Sequence, residues 1–303
     1  MKASLFKILF FFCMVNHMAA QDFASRFEQI VQKIVDEDYW PFSLIRDMNA
    51  VNLPDSLIPL LRQYQTFPDA NVQHIIHRCY YEHAIVSKDT LFMRRMMNYM
   101  LDACAHIDST ELSYACSYVT VLLCKFGNDL FDQSMINIIN ERANTLKFYY
   151  LDYAYLSGKL YQYQMIPVFE EMILTAKWEE TKLKWHIILS RLGHKQSIDI
   201  MVETFKKMSM KSRQEDRNTF FYIRQKPVID ILFDDLVSKE TIRYELIHGD
   251  RTKTPLAYET MQILIKLVKD FPGWQDGLSE SECLKIARAW AKKHRNDYEI
   301  IEE

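Results

Sequence analysis

Apolar residues recur at a near-constant interval along the middle of the chain. Four short apolar segments of similar sequence contain Ile136, Ile166, Ile198 and Ile229, and successive isoleucines lie 30, 32 and 31 residues apart. A weaker fifth copy begins at Met261, a further 32 residues along. Internal repeats of this length are typical of proteins built from stacked structural units.

Each copy has the periodicity of an amphipathic helix. Three residues after the first position the chain places Ile139, Phe169, Met201, Leu232 and Leu264. Seven residues after it stand Ala143, Ile173, Phe205, Leu236 and Val268. Offsets of 0, 3 and 7 fall on one helix face. We therefore expect five helices, called the anchor helices below, each with an apolar stripe that it cannot bury alone.

A second apolar helix is predicted ahead of three of these copies, and each one ends at a glycine. The three segments are Cys116 to Gly127, Phe148 to Gly158, and Leu183 to Gly193. Glycine just past a helix end commonly adopts the left-handed conformation that closes the helix. The repeating unit is thus helix, glycine turn, helix in about 31 residues. Only six glycines and eight prolines occur in the whole chain, which favours helices joined by short loops.

The unit resembles HEAT-like repeats of the short bacterial type, known from PBS-lyase-type HEAT proteins. The resemblance is carried by Trp-His-Ile-Ile-Leu-Ser-Arg-Leu-Gly at 185–193, by Ser-Ile-Asp-Ile-Met at 197–201 and by Met-Ile-Pro-Val at 165–168. It covers residues 111–237 and implies an all-α fold, an α-solenoid of stacked antiparallel helix pairs with the anchor helices lining its concave surface. Gln225-Lys226-Pro227 departs from the pattern, because a glycine turn belongs there. The alternatives are tetratricopeptide-like repeats and irregular helical pairs.

Four segments follow from this interpretation. They are a leader at 1–20, N-terminal helical pairs at 21–110, HEAT-like repeats at 111–245 and a C-terminal helical cap at 246–303. The N-terminal helices are predicted at Phe23 to Asp36, Asp55 to Gln65, Asn71 to Val86, and Leu91 to Ala105. Residues 246–255 form the longest polar break, a hinge or a long loop. Ser279 and Glu282 have the spacing of a capping box, and residues 296–303 are expected to fray.

The first twenty residues have the layout of a secretory signal peptide. Lys2 and Lys7 lie around the start of an apolar run from Leu5 to Val15, and Ala19 and Ala20 precede polar Gln21. The run is shorter than the roughly 20 residues that span a bilayer. We therefore expect export to a periplasm or beyond the cell, with no stable membrane span after cleavage.

Charge after cleavage does not favour nucleic acid as a partner. The whole chain has 37 Lys and Arg against 40 Asp and Glu, and the leader removes two lysines, which leaves 35 against 40 and a formal charge of −5.

Five cysteines remain after cleavage, an odd number that cannot pair completely. All of them lie in apolar helical stretches: Cys79, Cys104, Cys116, Cys124 and Cys283. Buried free thiols are favoured, although export makes a disulfide possible. The sequence leaves their disulfide state open.

No metal, cofactor or catalytic site is predicted. His74 and His77 share one helix face, whereas Cys79 and His83 share another, so the four cannot converge on one Zn²⁺ from a single helix. No Gly-rich phosphate loop, Gly-x-Ser-x-Gly or His-Glu-x-x-His motif occurs.

Two other functions are possible for a helical repeat protein of this kind besides binding a partner. One is an exported helical-toroid enzyme, such as a polysaccharide lyase or hydrolase, and the other is a structural envelope component.

The candidate binding residues are acids at one repeated position, five residues after each anchor. They are Glu141, Glu171, Glu203 and Asp234, and stacking would align them into an acidic ladder. Secondary candidates are Asn137, Asp199 and Asp230, one residue after the anchors, with Tyr150 and Tyr153 from a tyrosine-rich stretch. The alternative is that the acids are a solvated helix face and that the tyrosines pack between repeats. The expected function is binding, without catalysis, of a protein or peptide that carries a basic stripe.

Overall fold

The computed structural model describes residues 23–36, 58–64, 69–86, 90–103, 111–145, 150–245 and 251–301. The predicted leader at 1–20 lies outside these residues. Within them the chain is helical apart from one β-hairpin, one isolated bridge and connecting turns, so the prediction of a helical fold is confirmed. Contacts divide the chain into two compact units, Met1–Leu156 and Ser157–Glu303.

The first unit contains six helices in its described part and the start of a seventh. They are α1 (23–36), α2 (Ile58–Gln63), α3 (Ala70–Val86), α4 (Thr90–Ala103), α5 (Glu111–Phe126), α6 (Gln133–Thr145) and α7 (Tyr150–Lys159). Helix α3 packs against α4 and α5, and α4 also packs against α6. Fully buried Ile75, Met96 and Leu122 show that the apolar faces of α3, α4 and α5 form the core here.

The second unit continues the alternation of helices. It contains α8 (Ile166–Thr175), α9 (Glu179–Arg191), α10 (Lys195–Lys207), α11 (Met210–Glu215), α12 (Arg217–Ile223), α13 (Lys226–Val237), β1 (Thr241–Glu245), β2 (Arg251–Pro255), α14 (Ala257–Leu267) and α15 (Glu280–His294). Helix α9 packs against α8, α10 and α12, while α10, α13 and α14 pack in succession. The five predicted anchor helices are α6, α8, α10, α13 and α14.

The buried stripe of the anchor helices is centred differently from the prediction. All five residues at offset 3 are buried, and so are Ile198, Ile229 and Met261 at offset 0, but Ile136 and Ile166 at offset 0 are only half-buried. The position before each anchor is buried in every copy: Met135, Met165, Ser197, Val228 and Thr260. Offsets −1, 3 and 7 are four residues apart and form one row along a helix, whereas offset 0 lies at its edge.

Left-handed backbone closes the turns before three consecutive anchor helices. Tyr161, Gly193 and Arg224 have φ of 54°, 78° and 49°, and each lies five residues before an anchor isoleucine. At Gly193 the predicted glycine turn is confirmed, since His194 N–H donates to Leu189 O at 3.0 Å. Arg224 takes this conformation in the unit whose sequence lacks a glycine. The turn geometry therefore recurs even where the glycine does not.

Gly158 is not a helix-ending glycine, contrary to the prediction. Helix α7 continues to Lys159, and the positive φ falls on Tyr161 instead. A Cβ at position 158 would overlap the Tyr222 hydroxyl of α12. Gly158 is small because an aromatic side chain packs against its backbone.

Arg191 of the Arg-Leu-Gly sequence joins neighbouring turns inside the second unit. Its side chain is buried, and Nη1 donates to Tyr222 O at 2.9 Å. The guanidinium also lies 4.7 Å from the centre of the Tyr161 ring. These two contacts connect the end of α9 to α12 and to the turn before α8.

Two predictions near the carboxyl end need correction. Residues 251–255 belong to a β-hairpin in which β1 and β2 pair antiparallel, with Thr241 opposite Pro255, so they are not simply part of a polar loop. Residues 298–301 are packed rather than frayed: Tyr298 is buried, Ile300 bridges Val268, and Ile301 N–H donates to Leu267 O. The predicted capping box is confirmed, with Ser279 N–H donating to Glu282 Oε2 at 2.8 Å.

Among the described helices, none combines the length and apolar character needed to cross a bilayer.

Candidate functional site

The four predicted acids are all exposed on anchor helices. Glu141 lies on α6 in the first unit, while Glu171, Glu203 and Asp234 lie on α8, α10 and α13 in the second. Exposure at the same offset in four copies agrees with the predicted polar face.

Two of these acids form ion pairs with neighbouring cationic side chains, which partly offset their negative charge. Glu203 Oε1 lies 3.4 Å from Lys206 Nζ on the same helix. Asp234 Oδ1 lies 2.6 Å from Arg295 Nη1, and this hydrogen bond raises the pKa of the arginine. Exposed pairs of this kind contribute at most about 1 kcal/mol each. Glu171 stands beside another acid, Glu170, so α8 carries two adjacent carboxylates.

The secondary candidates at offset 1 divide into surface and structural residues. Asn137 is exposed and its Oδ1 accepts from Gln133 Nε2 at 2.9 Å, and Asp199 is also exposed. Asp230 is half-buried, and its Oδ1 accepts from the Tyr298 hydroxyl at 3.1 Å. Burial is the main cause, and Asp230 an additional one, of a raised pKa at Tyr298. Asp230 therefore holds the C-terminal segment in place.

Of the two candidate tyrosines, Tyr153 belongs to the core. It is fully buried, and its hydroxyl accepts from Arg142 Nη1 at 3.1 Å. The prediction that it forms a binding surface is wrong, because no face of its ring reaches solvent. Tyr150 is half-buried.

An apolar surface on α8, not predicted from the sequence, lies next to the acid position. Leu174 is 85% exposed and Trp178, just beyond the end of α8, is 73% exposed. Glu171 and Leu174 are three residues apart and so share a helix face. We call Glu171, Leu174 and Trp178 the α8 surface. The signal available in the sequence was Leu174 itself, an apolar residue outside the row at offsets −1, 3 and 7.

A chain of four polar side chains connects α8, α9 and α10. His194 Nε2 lies 3.1 Å from Glu170 Oε1, and its Nδ1 lies 2.8 Å from Ser197 Oγ. His186 Nδ1 lies 3.0 Å from the same Oγ. If Nε2 of a neutral His194 donates to the carboxylate, Nδ1 accepts the Ser197 hydroxyl proton, and Ser197 then accepts from His186 Nδ1–H.

This Ser–His–Glu order resembles the connectivity of a hydrolase triad, but Ser197 Oγ is poorly placed to attack a substrate. Ser197 is fully buried at the start of α10 and already has two histidine partners. A nucleophile must be within reach of the reacting atom. The four residues instead fasten three successive helices, which is a structural role.

Acid should weaken this connection. Burial, and secondarily the neighbouring His194, lower the pKa of His186, while Glu179 opposes the shift. A histidine whose pKa is lower folded than unfolded contributes stability that is present above about pH 6.5 and lost as pH falls towards the folded pKa. We expect the melting temperature of the parent protein to decrease when the pH is lowered from 7.5 to 5.5. The melting temperature of the His186→Asn variant should decrease less over the same interval. Parallel curves for the two proteins would exclude His186 as the cause.

The cysteine and histidine candidates form no metal centre in the described part of the chain, where no group of three or more His, Cys, Asp or Glu could hold an ion. His74 Nε2 lies 3.5 Å from the Tyr118 hydroxyl. Cys79 and Cys283 are buried free thiols, and burial raises the pKa of Cys79 far above its usual range. The side chains of Cys104, Cys116, Cys124 and His83 lie outside the description.

Comparison of the chain with protein-family models, with curated proteins and with solved structures finds no match.

Proposed function

We propose that the protein is a non-enzymatic binding protein that takes a basic protein or peptide segment on the anchor-helix face of its second unit. The observation that carries this proposal is the α8 surface, where Leu174 is 85% exposed three residues after Glu171, and Trp178, three residues beyond the last residue of α8, is 73% exposed. Leu174 and Trp178 are the two most exposed large apolar side chains among the described residues, and tryptophan is enriched among the residues that dominate binding energy.

The acids determine the partner's charge. Glu171 and the exposed Glu203 lie on α8 and α10, both of which pack against α9. Lysine or arginine on the partner would pair with these carboxylates while an apolar residue of the partner covers Leu174, and complementary charge promotes association and selectivity. A small apolar ligand would make no use of these acids, so a cationic peptide segment fits the surface best.

A repeated architecture of the HEAT-like type is part of the proposal. It is supported by the left-handed turns five residues before Ile166, Ile198 and Ile229, and by the succession of contacts α10–α13–α14 alongside α9–α12. Stacked units of this kind present a row of equivalent helices, which suits an extended partner. Export through the predicted leader is likewise proposed and places the partner outside the cytoplasm.

Selection from an unbiased library of random linear peptides tests the function. We expect the full chain to enrich peptides with net positive charge and at least one large apolar residue. Trp178→Ser should weaken their binding by roughly thirtyfold, the effect of losing a residue that contributes about 2 kcal/mol.

The matched control is Trp274→Ser, since Trp274 is also exposed in the second unit but lies outside the α8 surface. Its effect should be less than about twofold, well below that of a binding hot spot. Enriched peptides that bind both variants equally would contradict the proposal.

A further inference from the structure

A cavity of about 500 Å³ lies between α13 and α15, away from the residues of the α8 surface. It is formed by the last turns of both helices, which pack against each other. Its size is within the range of roughly 300 to 1,000 Å³ that is usual for small-molecule sites.

The inner part of the cavity is apolar. Its apolar lining residues are Phe233 and Ala291, which are buried, and Val237, which is 60% exposed. Covering Val237 with an apolar ligand would favour binding by about 25 cal/mol for each Å² of apolar area removed from water.

The polar part is cationic. Arg288, Lys292 and Arg295 line the cavity, and no carboxylate is among its lining residues. Asp234 pairs with Arg295 at the edge, so three positive charges face one negative charge. The excess favours an anion.

Two of the cations are held in place before any ligand binds. Arg288 donates from Nε to Leu236 O and from Nη2 to Ser238 O, both at 2.8 Å. These bonds satisfy carbonyls at the end of α13, where the negative end of the helix dipole would otherwise repel an anion. Arg295 is fixed by Asp234 and by a 3.2 Å hydrogen bond to Asp230 O. Preorganised donors lose little conformational entropy on binding.

We propose that this cavity binds an amphiphilic carboxylate. Its apolar part lies on Phe233, Val237 and Ala291, and its carboxylate faces exposed Lys292 and the two guanidiniums. Two sources share this chemistry: a free aliphatic acid, and the C-terminal carboxylate of a peptide that ends in an apolar residue. The site is independent of the α8 surface, and neither proposal requires the other.

Isothermal titration of the full chain with octanoate and with octanamide tests the charge requirement. We expect octanoate to bind at least about tenfold more tightly than the neutral amide, because only the acid gains ion pairs. A short peptide ending in leucine is titrated as the free acid and as the C-terminal amide. Preference for either acid over its amide supports the proposal and identifies the source. No binding of either acid, or equal binding of acid and amide in both pairs, overturns it.

Adjacent lysines on α15 provide a matched pair of variants. Lys292 lines the cavity and Lys293 does not, yet both are exposed, so charge reversal should leave the fold intact in each case. Lys292→Glu should weaken binding of the preferred acid by roughly tenfold, because it replaces a charge that attracts the carboxylate with one that repels it. Lys293→Glu should weaken binding by less than about twofold. Equal losses would show a diffuse charge effect and overturn the site. Val237→Asp, which places a carboxylate inside the cavity, should abolish binding, and retention of affinity there would also overturn it.

Discussion

Asp235→Asn is expected to lower the free energy of unfolding by about 3 to 5 kcal/mol, because it leaves a buried guanidinium without its counterion. Arg213 on α11 and Asp235 on α13 form a two-pronged ion pair, with Arg213 Nε 2.8 Å from Oδ2 and Nη2 in contact with Oδ1. Their side chains are only 11% and 6% exposed. Burial raises the pKa of Asp235, and the Arg213 guanidinium opposes that rise.

Asp234→Asn is the matched control. It is the same substitution one residue earlier, on an exposed carboxylate paired with Arg295, and should cost less than about 1 kcal/mol. Urea denaturation followed by tryptophan fluorescence suits the comparison, since four of the five tryptophans, namely Trp178, Trp185, Trp274 and Trp290, lie in the second unit. Equal midpoints for the two variants would show that the buried pair does not hold α11 to α13.

Phe169→Ala should cost about 3 to 5 kcal/mol, the usual range for deleting a buried aromatic side chain. Phe169 is fully buried at offset 3 of α8 and stacks on Trp185 of α9, with ring centres 5.2 Å apart. The loss leaves a cavity between the two helices, which close packing makes expensive.

Ile166→Ala, three residues earlier on the same helix, should cost about 1 to 2 kcal/mol, below the usual range for a fully buried isoleucine, because Ile166 is only half-buried. Denaturation of the two variants therefore measures where the buried stripe is centred. A larger cost at Ile166 than at Phe169 would restore the register predicted from the sequence and contradict the packing described for α8.

The sequence predicted the anchor helices because a stripe of apolar residues repeated five times is a local signal that packing reinforces. It misplaced the centre of the stripe because Ser197 and Thr260, which are buried at offset −1, are polar residues. Burial of Ser197 depends on histidines from the middle of α9 and from the turn before α10, and such partners are not visible from periodicity.

The same limit explains the mistaken assignments at Gly158 and Tyr153. A glycine near a helix end predicts a cap, but only the position of Tyr222 reveals that Gly158 is required for close packing. Tyr153 is amphipathic and suits an interface equally well, and only the structure shows that it is buried with its hydroxyl bonded to Arg142. The pairing of residues 241–245 with 251–255 was not predicted because each strand is only five residues long and β2 has no alternation of apolar and polar residues.

The candidate site was predicted in its charge but not in its apolar part. Exposed acids at one offset follow from the repeat, whereas the exposure of Leu174 and Trp178 depends on which neighbours cover α8. The cationic cavity combines residues of α13 and α15 more than 50 positions apart, such as Val237 and Lys292, and sequence spacing alone could not bring them together.

Site-specific photo-crosslinking in the native cells tests the central claim, that the α8 surface binds a protein partner, most directly. A benzophenone amino acid is introduced at position 174 or 178, and at position 274 as the control. The account predicts one discrete higher-mass adduct from positions 174 and 178, absent at 274 and lost when Glu171 and Glu203 are both changed to lysine. Equal adducts from all three positions, or adducts from 274 alone, would contradict it.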